Sequence, residues 1–235
     1  MATTNSTDFN MNFTEIAEEA WERAGREMRS GYDLRTARRS MNLLTIEWAN
    51  RGINMWTITE GSKSLVAGEA TSILSDAVAT DNNAQIIDVI EQNIRTGASY
   101  DTTQNDLSIP RVSVSDYNSI PNKNTQGRPT QIFIDRGTSN VTAYLWPVPD
   151  KTYTLNFWYL RRIQDAGAGD FTPDMPFRFL PCLVAGLAYY IAMKTPELSG
   201  RVMMLKDIYD EQFEMAASED RSKVSARFVP RIGYP

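Results

Sequence analysis

The apolar positions change period twice along the chain. A helix is expected from Asn12, because Glu15 stands three residues on, at the spacing of a capping box. Phe13, Ile16, Ala17, Ala20, Ala24 and Met28 follow at helical intervals, and Gly31 suits the exit. Asp33 is the expected cap of a second helix. Its stripe is Leu34, Ala37, Met41, Leu44 and Trp48, closed by Gly52 just after Arg51. The opposite, solvated face carries Arg35, Arg38, Arg39 and Glu47.

From about Met55 the pattern becomes two-residue alternation. Trp56, Ile58 and Glu60 alternate with threonines, and Gly61 marks a turn before a strand at 64–67. Further strands are expected at 71–75 and 85–95, a polar loop at 97–106, and a short helix at 113–120 capped by Ser113 or Ser115. Residues 121–130 are irregular. Three strong strands follow at 130–135, 140–146 and 152–161. Val141, Ala143 and Leu145 share one face, as do Tyr153, Leu155, Phe157 and Tyr159. Pro147 and Pro149 make a stiff connection between two of them.

Residues 165–173 are rich in Gly and Asp, and Gly167 and Gly169 read as a flexible connection. Helical texture then resumes. Phe177, Leu180, Val184, Leu187 and Ile191 line one helix, which ends near Lys194 before Pro196. A last helix is expected at 199–221, with Leu205, Ile208, Tyr209, Gln212, Phe213 and Ala216 on its inner face. The end of the chain has no helical period.

Helices, then strands, then helices in segregated blocks mean α+β. The economical architecture is a four-helix bundle made from 12–54 and 174–222. A β-rich, sandwich-like domain at 55–173 is inserted into it. A flexible N-terminal arm at 1–11 and an extended C-terminal arm at 223–235 complete the chain.

Composition narrows the chemistry. The chain has 235 residues, 42% of them apolar, which is enough for a real core. No run reaches the roughly 18–20 apolar residues of a membrane span, because Arg178, Pro181 and Gly186 interrupt the best candidate. No membrane association is expected, and the N-terminus has no secretory pattern. The single cysteine, Cys182, sits in an apolar run and reads as a small buried hydrophobe.

Histidine is absent, which removes histidine-based triads and the commonest neutral-pH acid/base. Gly61-Ser-Lys-Ser64 lacks the leading glycine of a phosphate loop, since Trp56 stands there. The carboxylates form solvated helix faces, and no cofactor or metal is expected. The net charge of −5 argues against a protein that grips nucleic acid through phosphates. Arg35, Arg38 and Arg39 are read as a solvated face or as a contact with a neighbouring protein.

Taken in order, several stretches resemble one family. They are YDLRTARRS at 32–40, EWANRGIN at 47–54, IPNK at 120–123, GRP at 127–129, LWPVP at 145–149, PFRFLP at 176–181 and FVPR at 228–231. The chain is similar to the head-to-tail connector adaptors of short-tailed phages, the tail-tubular-protein-A-like group. The resemblance runs from about residue 12 to the end. It implies a non-enzymatic virion protein assembled in the bacterial cytoplasm. It also implies a homo-oligomeric ring of twelve copies, with a portal above and a tail nozzle below. Double-stranded DNA would pass through its channel without specific binding.

The C-terminal arm is then the expected portal-binding segment. Phe228, Val229, Ile232 and Tyr234 serve as apolar anchors and Arg227 and Arg231 as ionic partners, in a stretch that includes Pro230. Two other classes compete. One is a carbohydrate- or nucleic-acid-binding module that uses Tyr144, Trp146, Phe157, Trp158 and Tyr159 as a stacking platform. The other is a carboxylate/metal enzyme.

Overall fold

A computed structural model describes residues 5, 9–53, 55–78, 85–96, 104–167 and 169–220. The elements run α1 (Phe13–Ala24), α2 (Gly31–Asn50), β1 (Ile58–Leu65), β2 (Thr71–Ile73), α3 (Ser75–Val78), β3 (Ile86–Thr96), β4 (Asn105–Ser108), α4 (Val114–Ser119), β5 (Gln126–Gly127), β6 (Gln131–Arg136), β7 (Val141–Trp146), β8 (Val148–Pro149), β9 (Tyr153–Arg161), α5 (Leu180–Lys194) and α6 (Val202–Glu219). Short 3-10 turns lie at Met55–Thr57, Phe177–Phe179 and Pro196–Arg201. The fold is α+β. The chain divides into two compact units, Met1–Met55 with Ala166–Pro235, and Trp56–Asp165.

In the helical unit, α1 starts on the expected capping box. The Asn12 side chain accepts the Glu15 N–H at 2.9 Å, and the Glu15 carboxylate accepts the Asn12 N–H at 2.9 Å. The first-turn donors of α1 are satisfied from far along the chain. Phe13 N–H donates to the Phe171 carbonyl at 3.0 Å and Thr14 N–H to the Gly169 carbonyl at 3.2 Å. The supposed flexible connection is therefore held against α1. A Cβ on Gly169 would stand 2.4 Å from Thr14 Oγ1.

The exit of α1 differs from the expectation. Gly25, with φ +100°, ends it, and the Arg26 and Gly25 N–H groups return to the Trp21 and Glu22 carbonyls in a Schellman motif. Met28 lies outside the helix, and Gly31 opens α2 instead of closing α1. The cap of α2 is Ser30, whose side chain accepts the Asp33 N–H at 3.3 Å. Asp33 is buried within the first turn. A second Schellman motif closes α2 at Gly52, with Gly52 N–H on Ala49 and Ile53 N–H on Trp48.

α5 touches α1, α2 and α6. It is accordingly buried on all sides, from Cys182 through Ala188 without a break. The 177–194 window has a mean hydropathy of 1.2 and is long and apolar enough to cross a membrane by composition, but most of it is buried within the unit. Phe177 departs from the expected inner stripe: it is 75% exposed, in the turn before the helix. On α6 only Leu205, Tyr209 and Ala216 are buried, while Ile208 faces outward and Phe213 is half-buried.

In the β unit, one antiparallel sheet has the order β1-β9-β3-β4 and a second the order β2-β7-β6, while β5 and β8 pair in parallel. The two larger sheets feed one core. Leu65, Ile94, Leu155, Phe157 and Tyr159 come from the first, and Ile132, Ile134, Val141, Ala143 and Leu145 from the second. β7 and β9 bury the expected alternating faces. Gly61 is not a turn. It lies inside β1 opposite Phe157, where a Cβ would meet that ring at 2.9 Å and Tyr159 at 3.2 Å. Bare backbone at Gly61 leaves room for both rings. The short helix α4 is capped by Ser113 through a reciprocal bond with Asp116.

Candidate partner-binding surfaces

The three arginines singled out on α2 do not act together. Arg35 and Arg39 are exposed, whereas Arg38 is half-buried with its guanidinium carbon 5.8 Å from the centre of the Phe13 ring. Its Nε is buried and has no partner. Arg35 and Arg39 instead share an outer stripe with Tyr32, Leu43 and Ile46, all exposed and spaced by three and four. The stripe is basic in its first half and apolar in its second.

Beside this stripe lies a cleft of about 580 Å³, lined by Trp21, Arg26, Tyr32, Arg39, Leu43 and Lys194, among others. Lys194 donates to Ser40 Oγ at 2.7 Å. Burial, and then the neighbouring Arg39, lower its pKa. Asp33 and Glu197 also border the cleft, so its walls carry three cations against two carboxylates. The indole N–H of Trp21, a residue only 3% exposed, is buried without an acceptor.

A second constellation was invisible in the local pattern. Glu47, expected on the solvated face of its helix, is a hub in the structure. Its carboxylate accepts the Tyr190 hydroxyl at 2.5 Å and the Tyr209 hydroxyl at 3.3 Å, and pairs with Arg51 at 2.5 Å. Tyr209 in turn accepts the buried indole N–H of Trp48 at 3.0 Å. Arg51 lies 4.3 Å from the centre of the Phe213 ring. Burial, followed by the bond to Glu47, pushes the Tyr190 hydroxyl up to about 12, and burial raises Tyr209 as well. Both remain protonated donors at neutral pH. Glu47, Arg51, Tyr190, Tyr209 and the Trp48 indole each have a partner within this network, which ties α2, α5 and α6 together.

The five aromatics expected as a stacking platform are not brought together on one exposed face. Phe157 and Tyr159 are core residues. Tyr144 is half-buried against Phe133 and Tyr117, and the Trp146 indole donates to the Asn122 carbonyl at 3.0 Å. Trp158 alone of the five is exposed, on the sheet where register shifts also leave Ile87 and Ile90 outward. Cys182 is buried, which pushes its thiol up to about 12 and keeps it inert. Among the described residues, no group of three Cys, Asp or Glu side chains converges as a metal site. The proposed arm residues Arg227, Phe228, Val229, Pro230, Arg231, Ile232 and Tyr234 lie outside the described residues.

Compared with known protein families, residues 11–231 match the family model described as SU10 adaptor protein. No curated protein matches the chain.

Proposed function

Given that this chain belongs to the SU10 adaptor protein family, a family of phage structural adaptors, we propose that it is the head-to-tail connector of its virion. In this reading it forms a ring, of twelve copies, between the portal and the tail nozzle, and the ring surrounds the DNA exit channel. The observation that carries the reading is the extent of the family match, which runs through the helical unit, the β unit and into the C-terminal segment. The helical unit is read as a four-helix bundle and the β unit as an inserted sandwich. The protein performs no catalysis and needs no cofactor.

The C-terminal arm, 223–235, is the portal-binding segment. A mixed basic and apolar peptide of this kind gains main-chain bonds and apolar anchors on a partner surface. Deleting 223–235 should leave a folded chain that no longer co-sediments with portal rings. Unchanged co-sedimentation would rule the arm out as the anchor.

The channel surrounds DNA without gripping it. With a net charge of −5, the chain as a whole repels a phosphate backbone. Duplex affinity at physiological salt should be no tighter than the ordinary non-specific range of about 10⁻⁴–10⁻⁶ M. Submicromolar binding with a steep salt slope, in a titration at two salt concentrations, would instead favour a nucleic-acid-binding module.

A further inference from the structure

Two exposed helix faces of the helical unit are complementary to each other. On α2, Tyr32, Arg35, Arg39, Leu43 and Ile46 form a continuous outward stripe. On α6, Met204, Ile208 and Met215 are 47%, 40% and 49% exposed, and Glu211 lies in line with them. Asp207 and Glu214, both exposed, run alongside. One stripe is apolar and basic, the other apolar and acidic. Each helix packs its inner face on α5, so both stripes are surplus to the core of the unit.

We propose that the α2 stripe of one copy docks on the α6 stripe of the next, making the contact that closes the ring. The proposal rests on the ring reading above and names the surfaces that build it. Because the two faces differ, the contact is heterologous, and such contacts generate rings when the rotation closes.

Charge decides the occupant. Arg35 and Arg39 are exposed on the α2 stripe, and the cleft beside it carries Arg26, Arg39 and Lys194 against Asp33 and Glu197. This excess of positive charge calls for an acidic partner. Among the described residues, α1 and α6 carry acidic helix faces. That of α1, with Glu15, Glu18 and Glu22 exposed, offers no exposed large apolar residue to meet Leu43 and Ile46. That of α6 offers three, and methionine adapts readily to an irregular surface. Arg38 takes no part, since it is turned towards Phe13.

The test uses the full chain with portal rings from the same phage, counting bound copies per ring by mass photometry. Two charge-reversed chains are made, R35E/R39E on α2 and E211K/E214K on α6, with a third that carries all four changes. All four positions are exposed, so helix content and thermal midpoint should stay as in the wild type. The wild type should fill the ring cooperatively. Each singly reversed chain meets like charge at every contact, and its loading midpoint should rise on the order of tenfold or more. An equimolar mixture of the two should recover cooperative filling, because alternating copies restore opposite charges at every contact. The fourfold chain should recover it too.

Cooperative filling by the singly reversed chains, or failure of both the mixture and the fourfold chain to recover, overturns the interface. Loss confined to R35E/R39E and persisting in the fourfold chain would assign the α2 stripe to the portal and also overturns it. If the wild type itself does not fill portal rings, the ring reading fails and the interface falls with it.

Discussion

Trp48→Ala should destabilise the helical unit by roughly 3–5 kcal/mol, the range for truncating a fully buried large aromatic. Trp48 is wholly buried, stacks at an angle on Phe179 with ring centres 5.9 Å apart, and donates its indole N–H to Tyr209. Two losses therefore coincide. The missing ring leaves a cavity between α2 and its neighbours, and Tyr209 loses the donor that fixes its hydroxyl towards Glu47. Trp48→Phe helps to separate them, since it keeps a six-membered ring in the site and loses the hydrogen bond, worth about 1 kcal/mol, with only the smaller part of the buried volume. Urea denaturation of wild type and both variants, followed by far-ultraviolet circular dichroism, gives the two differences. A loss below about 1 kcal/mol for Trp48→Ala would mean that the α2–α6 contact is not part of the folded core.

What could be read in the sequence was what the chain decides locally. The Asn12–Glu15 capping box, the Gly52 exit and the Val141–Leu145 alternation each depend on residues within a few positions, and the structure places them as expected. The misplacements have long-range causes. Gly61 carries the strongest local signal for a turn, yet it is glycine because Phe157 and Tyr159, nearly a hundred residues later, pack where its Cβ would stand. Glu47 sits among polar neighbours in sequence, and only the approach of Tyr190 and Tyr209 makes it a hub. With Gly25 and Gly31 both available, periodicity could not say which one ended α1. The choice fell to Gly25, whose left-handed backbone completes a Schellman motif. The acidic-apolar face of α6 was hidden because Ile208 fitted an inner stripe equally well by spacing, and a helix presents its core side only once its neighbours are known. The family resemblance was legible because it lies in the order of short motifs along the chain and does not depend on packing.

Gly186→Val should cost about 3 kcal/mol, against the direction that helix propensity alone would give. Glycine inside a helix is disfavoured by about 1 kcal/mol relative to alanine. Position 186 lies in the middle of α5, so substitution ought to help. Packing decides otherwise. A Cβ there would stand 2.8 Å from Tyr209 Cε2 and 2.9 Å from Leu44 Cδ2. Neither neighbour can yield easily. Tyr209 is pinned by its bonds to Trp48 and Glu47, and Leu44 is fully buried. Overpacking of this kind costs roughly 1–3 kcal/mol, so Gly186→Ala should lose a net 1–2 kcal/mol or less, and two further methyl groups should carry Gly186→Val to the upper end of the range or past it. The same urea series measures both. If Gly186→Ala proves more stable than the wild type, α5 is not wedged between α2 and α6 as closely as the distances require, and the Glu47 network would have room to loosen.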